Sequence, residues 1–498
     1  MLFNSIPFLL FFTVVTAVFF TSPQPIRNYI LLAASYVFYM WWNPALVTLI
    51  LFTTLVSYAA CRIMERNPAR RKTTLIVTAV IVFSFLFFFK YYNFFADGAA
   101  AFLRLVTGRP YSFHLDILLP VGISFYTFQT VSYVADVYRG KIAAEHNVFD
   151  YALFVSFFPQ LLAGPIERPG DLLPQLKAAH RFDAENTIAG AKMMMIGFFE
   201  KVAVADLVGV LVNRVYEDID SANGLAVLIA TVLFSVQILG DFKGYSDIAK
   251  GIARIYGIRL TSNFNHPYGA ASIKAFWNRW HITLSTWFRD YVYFPLGGSR
   301  VSLPRWCLNI LIVFLLSGLW HGADLTFVLW GLLLAVYRIV ERLMTGGKGP
   351  TERIQTLPTD GEKAVCPHRT ARAARHILTL VLIALAWMLF RSNSLSEAAV
   401  AYRTLFTDWN LSGTFFTATW QYFDLSPLKL LLLAAALSLF ACYERCFAWL
   451  NRPRKGKALV LARVGRTALY SIMLWLTIGT FISLNAADVE SAFIYFQF

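Results

Sequence analysis

Apolar runs near membrane-crossing length recur from one end of the chain to the other, separated by short basic stretches. A helix needs about 20 mostly apolar residues to cross the hydrocarbon core of a bilayer. The runs cover residues 3–20, 28–42, 44–61, 74–89, 117–137, 151–163, 190–212, 225–239, 308–320, 325–340, 377–390, 428–450 and 468–484. Several are too short to cross. Such segments sit at membrane depth only where protein or a water-filled cavity surrounds them, so re-entrant or half-length helices are expected. The predicted fold class is an all-α, polytopic integral membrane protein. Composition agrees: 15% of the 498 residues are charged, against about 25% in soluble proteins. Disorder, fibrous repeats and a water-soluble enzyme are excluded.

The net charge of +15 is topological on this reading. Lys and Arg fall between apolar runs, as in cytoplasmic loops. Nucleic-acid binding would need a basic patch on a soluble surface, so no nucleic-acid partner is expected. Residues 342–375 hold seven Lys/Arg against three acids, and residues 451–467 hold six against none. Placing both inside leaves residues 486–498 outside, as a tail following a polytopic core of residues 1–485. No Lys or Arg precedes run 3–20 and no small-residue cleavage site follows, so it reads as a retained span rather than a signal peptide. The cysteines, Cys61, Cys307, Cys366, Cys442 and Cys446, form no CxxC pair and suggest no disulfide framework.

Ionisable residues within apolar runs mark functional sites by default. His321 follows the apolar stretch 308–320, which is about 20 Å long as a helix, and is flanked by Gly318 and Gly322. A neutral imidazole at that depth could act as a general base; a packed histidine satisfied by a neighbouring helix is the alternative. Read as one helix, residues 276–291 place Trp277, His281, Leu284 and Phe288 on one face, with His281 in an aromatic wall. An interfacial helix anchored by tryptophan is the competing reading. The two histidines have no third ligand at metal spacing, so no metal site is expected. A polar island directly after run 225–239 holds Asp241, Lys243, Tyr245 and Asp247, which would either line a cofactor entrance or form an internal ion pair. The terminus carries Phe493, Tyr495, Phe496 and Phe498, either an interfacial anchor or a tail that folds back and presents the Tyr495 hydroxyl.

Taken together, residues 120–129, Gly164-Pro-Ile-Glu-Arg168, residues 241–247, residues 276–291 and Ser317-Gly-Leu-Trp-His-Gly322 resemble the membrane-bound O-acyltransferase (MBOAT) family. The resemblance is to its bacterial branch, whose members O-acetylate alginate and peptidoglycan. It implies many helices around a central tunnel in a multi-pass protein of the bacterial inner membrane, with the C-terminus extracytoplasmic. It also implies acetyl-CoA as acyl-donor substrate, with no permanently bound cofactor, and a polysaccharide acceptor. An extracytoplasmic SGNH-type acetyltransferase or esterase is the implied partner, besides membrane lipids. His321 matches the family's catalytic histidine and His281 its upstream polar position. Phe493-x-Tyr495-x-x-Phe498 is similar to a tail whose tyrosine receives the acyl group. Asp241, Lys243, Tyr245, Trp277 and Trp320 are the candidate donor-binding residues. Direct acylation of a lipid, protein or teichoic acid is the alternative within the family. A non-enzymatic polymer transporter is the alternative outside it.

Overall fold

The computed structural model describes residues 1–346, 369–424, 426–486 and 493–494. All regular structure among them is helical. Among the described residues, seven helices are long and apolar enough to cross a membrane: Pro44–Arg66, Pro68–Thr107, Gly224–Ile255, Leu303–His321, Thr370–Arg391, Lys429–Leu450 and Lys457–Leu484. Ile76, Val80, Leu461 and Trp475 remain exposed on these helices, forming apolar surface that a bilayer covers. The protein is multi-pass. Shorter helices accompany the spans, including Ile6–Thr21, Ile123–Tyr138 and the nine-residue Val148–Ser156. Helix starts carry side-chain caps where amides would otherwise be unpaired: Ser5 accepts the Phe8 N–H, Asp183 those of Glu185 and Asn186, and Asp324 that of Thr326.

The chain forms two compact units, one of residues 1–207, 239–262 and 431–498, the other of residues 208–238 and 263–430. In the first, the Ala184–Phe198 helix and the Gly224–Ile255 helix meet through paired glycines. A Cβ on Gly197 would lie 2.6 Å from the Gly244 carbonyl oxygen, and one on Gly244 would lie 2.7 Å from that of Gly197. Gly190 and Gly251 repeat the relationship two turns away, at 2.5 and 2.6 Å. Small residues let membrane helices approach to backbone contact, where dispersion replaces the missing hydrophobic drive. This contact explains a difference from the sequence reading. Residues 240–249 are not an island after a span but the continuation of one helix to Ile255. Gly244 and Gly251 hold that stretch against its neighbour, and its charges pair with one another and with the Phe199–Asp206 segment, so the polar turns cost little.

In the second unit the Leu303–His321 and Leu325–Met344 helices form a tight hairpin. Gly318 and Gly331 face each other across it: a Cβ on Gly318 would meet the Phe327 carbonyl oxygen at 2.3 Å, and one on Gly331 that of Phe314 at 2.4 Å. Gly322, in extended backbone, ends the first helix immediately after His321. Gly318 therefore serves a second helix's backbone, while Gly322 is the breaker.

Candidate active site

His281 does not lie on a continuous helix. The expected face of Trp277, His281, Leu284 and Phe288 is broken, because Ile273–Trp277 and Ile282–Phe288 are separate short helices. His281 caps the second with φ 41° and ψ 56°, in the left-handed region. That conformation costs a residue with a Cβ roughly 1–2 kcal/mol, and the neighbouring bonds of Asn263 hold it. The Asn263 carbonyl oxygen accepts the Ile282 N–H at 2.9 Å. Its Oδ1 accepts the Thr283 hydroxyl at 2.6 Å and the Thr283 N–H at 3.3 Å. The Asn265 N–H donates to the Arg279 carbonyl at 3.0 Å, closing the turn from the other side. Non-glycine residues in this region persist where surrounding structure over-determines them, and they gather at functional sites.

The turn delivers His281 to His321. The two rings, distant in sequence, lie 6.3 Å apart between centroids and both are buried. Their nitrogens can approach no closer than roughly 4 Å, beyond the ~3 Å of a hydrogen bond. The separation suits a reacting group placed between them. His321 is boxed edge-on by Trp320 at 4.9 Å, Trp330 at 5.1 Å and Phe390 at 5.3 Å, with interplanar angles of 86°, 87° and 74°. These edge-to-face contacts suit the ring quadrupoles and fix the plane of the imidazole. Trp320 also lies 5.6 Å from His281, bridging the pair. Trp277 sits one layer back, 5.9 Å from Trp330 and 5.6 Å from Phe314. Trp387 stacks on Trp330 at 5.8 Å. His281 lies outside the seven apolar spans, and burial lowers its imidazole from 6.5 to about 3. It is a neutral ring at working pH, able to donate from one nitrogen and accept at the other.

Of the sequence candidates, His281, His321, Trp320 and Trp277 thus share one cluster in the second unit. Asp241, Lys243 and Tyr245 belong to the first unit and are engaged there. Lys243 Nζ lies 2.5 Å from Glu200, 2.8 Å from Asp247 and 2.7 Å from the Tyr443 hydroxyl. Asp241 pairs with Lys201 at 2.5 Å, and Tyr245 stacks on Phe3 at 4.5 Å. Of the two readings of this stretch, the internal ion pair is present. Tyr495 lies outside the described residues, although Phe493 and Ile494 are described and buried. Sequence reasoning passed over Asn263, Trp330, Trp387 and Phe390. The tryptophans sit within apolar runs, where composition alone does not separate a packed ring from a lipid-facing one, and Asn263 lies in an aperiodic turn.

A buried pair of facing imidazoles can take a proton from a hydroxyl at one ring and support a developing oxyanion at the other. Comparison with known proteins gives that chemistry a family. The profile of the membrane-bound O-acyltransferase family matches residues 141–348. The chain is 38% identical over 421 residues to a probable alginate O-acetylase of Azotobacter vinelandii, spanning 83% of this chain and 80% of the relative. It is 36% identical over 419 residues to a probable alginate O-acetylase of Pseudomonas aeruginosa, spanning 83% and 76%. A peptidoglycan O-acetyltransferase of Helicobacter pylori is 32% identical over 397 residues, spanning 74% and 71%. At such identity over so much of both chains, the protein belongs to the membrane-bound O-acyltransferase family and is an acyltransferase.

Proposed function

We propose that the protein moves an acetyl group from cytoplasmic acetyl-CoA across the bacterial inner membrane for O-acetylation of a cell-envelope or secreted polysaccharide. The observation carrying this reading is the buried His281–His321 pair, 6.3 Å apart, in a chain similar to alginate and peptidoglycan O-acetylating proteins. In the proposed first step His321 accepts the proton of the Tyr495 hydroxyl as that oxygen attacks the thioester carbonyl. His281 donates to the oxyanion. The C–S bond then breaks, the CoA thiolate recovers the proton from the His321 imidazolium, and an acetyl-tyrosine ester remains. An extracytoplasmic SGNH-type acetyltransferase or esterase then passes the acetyl group to a polymer hydroxyl. The basic stretches 342–375 and 451–467, read as cytoplasmic, suit the donor's phosphates and leave the tail outside.

The test is a single-turnover incubation with radiolabelled acetyl-CoA. Label on the C-terminal peptide is expected for the wild type, and loss of label for His321→Ala and Tyr495→Phe. Undiminished polymer acetylation in Tyr495→Phe overturns the relay. Full activity in His321→Ala overturns the assignment of the base.

A further inference from the structure

The tail enters a built seat on the first unit. The Ile494 N–H donates to Asp241 Oδ2 at 2.6 Å, and Phe493 packs 4.7 Å from the Tyr245 ring and 6.0 Å from that of Phe242. Both tail residues are buried, as is Asp241. Asp241 and Tyr245 are four apart on the Gly224–Ile255 helix and so share a face. That face offers a carboxylate notch beside an aromatic platform.

Lys201 Nζ lies 2.8 Å from Asp206 and 2.5 Å from Asp241, so one cation faces two carboxylates. Lys201 and Asp206 fall on one side because residues Phe199–Asp206 form a π-helix, whose repeat aligns residues five apart. Burying the Asp241 carboxylate is costly unless its oxygens are hydrogen-bonded, and the tail's own backbone amide provides such a bond.

We infer that Asp241, held by Lys201, is a positioning residue that seats the C-terminal tail and sets its register, with Phe493 as the anchor. The amide contact is blind to side chains, so the register comes from the Phe493 ring on Tyr245. Tyr495 is the next residue after the seated amide. The functional consequence, presentation of Tyr495 as acyl acceptor, rests on the reading proposed above; the seat itself does not.

The experiment uses the full chain in nanodiscs, with hydrogen exchange of the C-terminal peptide and acetyl-transfer kinetics. Asp241→Leu and Phe493→Ala should each speed tail exchange about tenfold or more. Asp241→Asn keeps an acceptor oxygen and should restore part of the protection. Transfer should lose kcat with donor KM unchanged, because the tail joins as acceptor rather than donor. Should Asp241→Leu fail to fold, Phe493→Ala decides, since it alters only the tail. Wild-type exchange in Phe493→Ala overturns the seat. Faster exchange in both variants, together with full acetylation in Tyr495→Phe, upholds the seat and overturns the relay alone.

Discussion

The side chain of Asn263 takes the Thr283 hydroxyl at 2.6 Å, and through that bond it fixes the left-handed turn that carries His281. Asn263→Ala deletes the acceptor for both Thr283 groups and leaves them buried without it, a loss of about 1–3 kcal/mol. We expect a folded protein whose acyl-transfer kcat falls about tenfold to a hundredfold, as small displacements of a reacting group do. Steady-state kinetics beside a melting curve check this. A proportionate loss of stability with unchanged kcat would show that the turn does not position His281 for chemistry.

His281 itself separates backbone from ring. Asparagine tolerates the left-handed region, whereas a β-branched residue is an outlier there. His281→Asn should melt close to the wild type yet lose about two orders of magnitude in rate, the usual worth of a positioned proton donor or acceptor. His281→Val should lose both. Wild-type turnover in His281→Asn would remove the ring from the chemistry.

These residues also show how far the sequence could be read. His321 stood out because an imidazole at the end of an apolar run has few structural reasons to be there. His281 joined it only through the family resemblance, since the pairing depends on a turn imposed by Asn263 from a separate aperiodic segment, and helical periodicity carried the reading straight through the break. The Asp241–Asp247 stretch failed in the opposite direction. Its polar residues suggested a span end, but Gly244 and Gly251 pack against Gly197 and Gly190 and let the helix run on. Local composition could not reveal partners contributed by another helix. The aromatic box was hidden for the same reason, because Trp330 and Phe390 acquire their role only from what faces them.

Two glycines near His321 should respond differently to one methyl group. A Cβ on Gly318 would lie 2.3 Å from the Phe327 carbonyl oxygen, which belongs to a helix backbone and cannot yield. Gly318→Ala should therefore open the hairpin, costing about 1–3 kcal/mol or more as overpacking does. A Cβ on Gly322 would lie 2.1 Å from a ring carbon of Phe327, and a ring can rotate away. Phe327 packs on Phe390 at 5.1 Å, and Phe390 packs on His321 at 5.3 Å. Gly322→Ala should keep the fold while lowering turnover about tenfold through this relay of rings. Thermal unfolding and turnover measured on both variants distinguish the cases; equal effects on both would refute the contrast.

Glu167, from the Gly164-Pro-Ile-Glu-Arg168 turn, gives stability a pH dependence that can be worked out in sign. It is buried, its Oε1 accepts the Thr261 N–H at 2.5 Å and its Oε2 accepts the Thr261 hydroxyl at 3.0 Å. Burial pushes its carboxyl from 4.5 up to about 7, with the Thr261 bonds offsetting only part of that rise. The folded state therefore holds more protons than the unfolded state between those values. Its contribution to stability is full below pH 4.5 and is lost as pH rises through 7, a swing of about 3 kcal/mol. Glutamine has no proton to lose, so Glu167→Gln should show no such decline. Melting temperatures from pH 4.5 to 8 should show the wild type falling relative to Glu167→Gln as pH rises; parallel profiles would mean that Glu167 is ionised throughout.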